Sequence, residues 1–91
     1  MKINKEIVLN YLSVKPEIEE RVVAIAKLID KDFSESDDKD YNVWFDADRA
    51  YVDYWLYNKF DNDHYPMQVS FGLDYFDLSD EELSKIDKWN R

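Results

Sequence analysis

Carboxylates are the reactive groups this sequence has in quantity, and they are unevenly placed. All 14 aspartates fall in residues 30–87, a stretch with 17 acids against five bases, net −12, whereas the whole 91-residue chain carries −9. A field of that sign gathers counter-ions, a metal or a basic partner. Paired carboxylates act as general acid and base only where burial drives their pKa values apart, and a domain this small seldom builds so dry a pocket. His64, the only histidine, stands in Asp63-His64-Tyr65-Pro66 and reads as a solvated turn residue. With no cysteine and a single glycine, Gly72, the chain has no thiolate nucleophile, disulfide or glycine-rich phosphate loop. Asp37-Asp38-Lys39-Asp40 and Asp61-Asn62-Asp63 lack the turn glycine and trailing glutamate of a calcium-binding EF-hand loop. No catalytic, cofactor or metal residue is therefore assigned, and the expectation is a protein that is not an enzyme.

The carboxylates make better sense together, as an electrostatic surface. Asp46, Asp48 and Asp53 lie around a first hairpin, Asp61 and Asp63 on a second turn, and Asp74, Asp77, Asp80 and Glu81 carry the charge to the C-terminal segment. Same-face residues of a strand recur about every 6.6 Å, so outward aspartates are expected to form spaced negative rows. Duplex DNA presents one charge per about 1.7 Å, roughly 18 over a 30 Å length. In size and composition the chain resembles, as a class only, the small acidic phage inhibitors that imitate the phosphate backbone. The resemblance implies a partner that is itself a DNA-binding protein, such as a nuclease, met in counter-defence against restriction or CRISPR systems. An immunity protein capping a toxin nuclease, and a non-catalytic scaffold subunit, are the alternatives.

The elements that must position these groups follow from periodicity. Ile3, Ile7, Val8, Tyr11 and Leu12 fall on one helical stripe. Pro16 suits the first position of a second helix, followed by acids in its first turn and by Ile18, Val22, Ile25, Ala26 and Ile29 on one face. Residues 33–40 show no period and read as an acidic loop. The period then becomes two: Tyr41, Val43 and Phe45, then Ala50, Val52, Tyr54 and Leu56, then Met67, Val69, Phe71 and Leu73, with turns at Ala47-Asp48 and across residues 58–66. Gly72, inside a strand, marks a bulge or close packing rather than a ligand site. Ser79-Asp80-Glu81-Glu82 is a capping box opening a short last helix that runs on through Ile86 and Trp89 or Asn90. The order is ααβββα: an α+β single domain over residues 1–91, two N-terminal helices against one face of a three-stranded antiparallel meander, and a short C-terminal helix.

Alternation leaves a second sheet face bearing Asn42, Trp44, Asp46, Tyr51, Asp53, Trp55, Tyr57, Gln68, Ser70 and Asp74. Tryptophan and tyrosine among carboxylates suit a contact surface, so Trp44, Tyr51, Trp55 and Tyr57 are assigned as partner anchors or as a homodimer seam. A terminal segment folded over the face is the structural alternative. The sequence pI of about 4.4 argues against nucleic acid or an anionic membrane as a direct ligand. No apolar run reaches the roughly 20 residues of a membrane span, and the residues after Met1 lack a signal-peptide core. The expected location is the cytoplasm.

Overall fold

The computed structural model describes residues 3–11, 16–36 and 40–86. Helix α1 spans Lys5–Tyr11 and α2 spans Pro16–Ile29. Every apolar position predicted for the second helix (Ile18, Val22, Ile25, Ala26, Ile29) is buried, as is Val23. A third helix, α3 (Lys31–Glu35), replaces the first part of the expected loop. The cause is local: the Asp30 carboxylate accepts hydrogen bonds from the Asp32 and Phe33 amides at 2.9 and 3.4 Å, an N-cap that starts a new turn. Phe33 is then buried edge-on to Tyr41 and against the Tyr54 ring, with centroids 5.8 and 4.9 Å apart. Residues 37–39 lie outside the described residues.

Strands β1 (Asn42–Asp46), β2 (Arg49–Asn58) and β3 (Asp63–Gly72) pair antiparallel in the order β1-β2-β3. The predicted meander holds, but its second turn is much shorter than residues 58–66. Asn58 Oδ1 accepts from the Phe60 amide at 2.9 Å and Asn62 takes φ +54°, so the connection closes over residues 59–62. His64, Tyr65 and Pro66 therefore belong to β3. Proline is tolerated there because of the pairing. The Leu73 amide donates to the Asp48 carbonyl at 3.0 Å, extending the β2–β3 register by one pair. Bonded and non-bonded pairs alternate, so Ala50/Phe71, Val52/Val69 and Tyr54/Met67 exchange ladder bonds while Tyr51/Ser70, Asp53/Gln68 and Trp55/Pro66 do not. Pro66 thus removes no bond of the ladder.

After Gly72 the chain leaves the sheet as a 3-10 helix, Leu73–Asp77, with Leu73 and Phe76 buried. Asp74 accordingly lies off the strand, not on its outer face as alternation suggested. Helix α4 (Asp80–Ser84) opens with the predicted capping box: Ser79 Oγ accepts the Glu82 amide at 3.1 Å and Glu82 Oε1 accepts the Ser79 amide at 3.2 Å. It ends before Ile86, which packs on the core; the expected continuation at Trp89 and Asn90 is outside the described residues.

Among the described residues, helices α1 to α4 and the 3-10 helix supply the core on the Val43, Val52, Val69 and Phe71 face. The β2–β3 hairpin outruns that layer. Burial on β2 ends at Tyr54 and on β3 begins at Val69, so the distal strands project. The result is a shape of 43 × 26 × 22 Å, longer than the roughly 30 Å expected of a compact chain this size.

Candidate functional site

The outer sheet face is where the aromatic residues meet polar ones, and cross-strand register decides which touch. Trp44 faces Tyr51, and their rings stack at 4.1 Å and 9°. Asp53 faces Gln68 and holds two neighbours: Trp44 Nε1 donates to its Oδ2 at 2.6 Å and Gln68 Nε2 to its Oδ1 at 2.8 Å. Tyr57 faces His64, with ring centroids 5.0 Å apart. Arg49 donates to Ser70 Oγ at 3.2 Å. Such lateral pairs stabilise a sheet by a few tenths to about 1 kcal/mol each and fix the side chains in place. No described element packs over this face; Trp55 and Tyr57 remain 52% and 50% exposed. Among the described residues, then, neither terminal segment covers the rings. A shallow cleft beside Asp53 is bordered by Asp40, Asn42, Trp55 and Pro66.

The predicted acids do not all share this face. Asp46 and Asp53 are on it. Asp48, Asp74 and Asp77 gather instead at the end of the sheet near the β1–β2 turn, around Lys5. The Lys5 ammonium donates to Asp74 Oδ1, and its backbone amide, at the start of α1, donates to Asp77 Oδ1 at 3.0 Å. The Asp74 contact, followed by the charges of Asp48 and Asp77, raises the Lys5 pKa above its usual 10.5. Asp80 pairs with Arg21 at 3.0 Å and Glu81 with Lys85 at 3.3 Å on α4. Asp61 and Asp63 sit on the hairpin tip, where Asp61 accepts the Tyr65 hydroxyl and raises its pKa, and Asp63 accepts the His64 amide at 2.8 Å. The continuous acidic row expected along the strands is therefore split into a turn-end cluster, an α4 group and a tip pair, with Asp53 between them.

Three features of the site were not foreseen. Arg49 places a cation on the outer face; strand parity would have shown it, since it stands two residues before Tyr51. Phe60, 90% exposed at the hairpin tip, was hidden by the overlong turn. Gln68 was seen only as a polar outward residue, although it shares Asp53 with Trp44. The described residues contain no grouping of histidine and carboxylates able to hold a metal ion, and no described helix is long and apolar enough to cross a membrane.

No protein family, curated protein or solved structure matches this chain.

Proposed function

We propose that the protein is a non-catalytic inhibitor or interaction protein that captures a cationic, DNA-binding protein and covers its nucleic-acid groove. One observation carries this reading: an ordered aromatic sheet face lies uncovered among the described residues, on a chain with a net charge of −9. The Trp44–Tyr51 stack, Trp55 and Tyr57 offer rigid contact area of the kind found at interface hot spots. Asp53 at the centre, the Asp46–Asp48 turn at one end and the Asp61–Asp63 tip at the other supply negative charge along the long axis. The carboxylates take the place of phosphates before the partner's lysines and arginines, giving steered, salt-sensitive association. Host-cytoplasm action in phage or mobile-element counter-defence is the setting this mechanism suits.

The test is capture on the immobilised protein, eluting with salt from about 50 to about 500 mM and, separately, with duplex DNA. The expected result is a DNA-binding protein released by both. The triple variant Asp46→Lys, Asp48→Lys, Asp61→Lys should lose it while keeping the same circular dichroism. A single cognate nuclease among the captured proteins would favour the immunity-protein version. Capture indifferent to salt and to the triple variant would replace mimicry with hydrophobic scaffolding.

A further inference from the structure

We infer that the outer edge of β3, at Gln68, Ser70 and Gly72, is a strand-addition site for an extended cationic segment of a protein partner; this rests on the proposed capture of a basic protein and specifies how part of it is held. β3 is the last strand of the sheet. The register fixed by the Leu73 amide–Asp48 carbonyl bond turns the backbone groups of residues 64, 66, 68, 70 and 72 away from β2 and toward the open edge.

That edge is treated differently along its length. In the distal half the His64 amide is taken by the Asp63 carboxylate at 2.8 Å, and Pro66 has no N–H to offer. In the proximal half no described group accepts from the amides of Gln68, Ser70 or Gly72. Edges are ordinarily blunted by charge, proline or a bulge. Residues 67–72 (Met-Gln-Val-Ser-Phe-Gly) contain no charged residue and no proline.

Gly72 adds an independent observation. A Cβ placed there would meet nothing within 4 Å, and its φ of −70° suits any residue. Neither packing nor backbone conformation within the described chain calls for glycine, although glycine in a strand costs stability. A second backbone approaching closely accounts for it.

Charge selects the occupant. At the Gly72 end, Asp48, Asp74 and Asp77 gather around Lys5, and Asp46 faces Arg49, which stands opposite Gly72 and donates to Ser70 Oγ, so four acids outnumber two bases there. Asp53 is bonded to Gln68 at mid-edge, and Asp63 stands beyond Pro66. Main-chain hydrogen bonds hold an added strand while flanking charges choose it. A second copy, bringing another −9, is repelled.

The test uses the full chain, isotope-labelled, with an end-capped peptide alternating lysine and threonine as probe and a glutamate–threonine peptide as control. In the free protein the amides of 68, 70 and 72 should exchange fast and those of 67, 69 and 71 slowly. The lysine peptide should slow exchange at 68, 70 and 72; the glutamate peptide should not. Gly72→Pro removes only an N–H without an acceptor, at a φ proline shares, in the register Pro66 already occupies, so the fold should persist while peptide affinity falls about tenfold or more. Should that variant misfold, Gly72→Lys places a repelling cation in the same open space and should give the same loss.

Undiminished binding by the folded variants, or peptide effects confined to the aromatic face, would overturn the edge site and leave the proposed capture standing. No peptide binding would also overturn it, and capture with the triple aspartate variant then judges the broader reading separately. A free protein that is dimeric, with 68, 70 and 72 already protected, would give the edge to a second copy instead.

Discussion

Asp53→Ala should be costly for a surface substitution. Its carboxylate accepts from Trp44 Nε1 at 2.6 Å and from Gln68 Nε2 at 2.8 Å, and Trp44 in turn stacks on Tyr51 at 4.1 Å. A hydrogen bond to a charged acceptor contributes about 1.5–3 kcal/mol when dry. Both donors here keep access to water, so about 1 kcal/mol each is the appropriate figure, about 2 kcal/mol in total. For a domain of this length that corresponds to a fall in Tm of about 8–16 °C. Asp53→Asn keeps one acceptor oxygen and should lose about half as much. Trp44→Phe retains a stacking ring but removes the donor. In a double-mutant cycle by urea denaturation, Asp53→Ala and Trp44→Phe should therefore couple by about 1 kcal/mol. A coupling within about 0.3 kcal/mol of zero would refute the idea that Asp53 locks the aromatic face.

Other expectations separate the elements. Ala47, at φ +55° in the β1–β2 turn, is in the left-handed region, so Ala47→Gly should raise stability by about 1 kcal/mol, read from the urea midpoint. Ser79→Ala removes the α4 N-cap and should cost about 1 kcal/mol. Glu82 is held below its ordinary pKa of 4.5 by hydrogen bonding from Ser79, so its stabilising effect is present above that pH and disappears as pH falls through the lowered folded value. Denaturation curves of Glu82→Gln and the unaltered chain should accordingly differ at pH 7 and converge in acid. Phe71→Ala, in the core, should cost about 3–5 kcal/mol, whereas Trp55→Ala on the open face should cost about 1 kcal/mol or less.

Local signals carried the architecture. The periodic helix of Ile18 to Ile29, the two-residue alternation and the Ser79 capping box each reflect interactions within a few residues, and each reappears in the structure. What escaped depended on partners distant in sequence or on cap geometry. Asp30 capping turned an apparent loop into α3. Pro66 looked like a turn residue because the free edge that accommodates it is a property of the whole sheet. Asp74 followed the strand period by composition, yet the chain turns at Gly72 so that Leu73 and Phe76 can be buried and Asp74 and Asp77 can reach Lys5, about 70 residues away. The aromatic outer face was readable because parity alone defines it; the grouping of the acids was not, because loops and helix ends place most of them.

The overhanging end of the β2–β3 hairpin has a mechanical consequence. Beyond Leu56 and Met67, the last of its side chains packed against the core, its two strands lean chiefly on one another, so that tip can fray without disturbing the hydrophobic interior. Trypsin cutting after Lys59 would sever the chain at the point of least cooperative support. The two fragments should stay clasped together by the proximal ladder and the shared core, a nicked molecule with its helices intact.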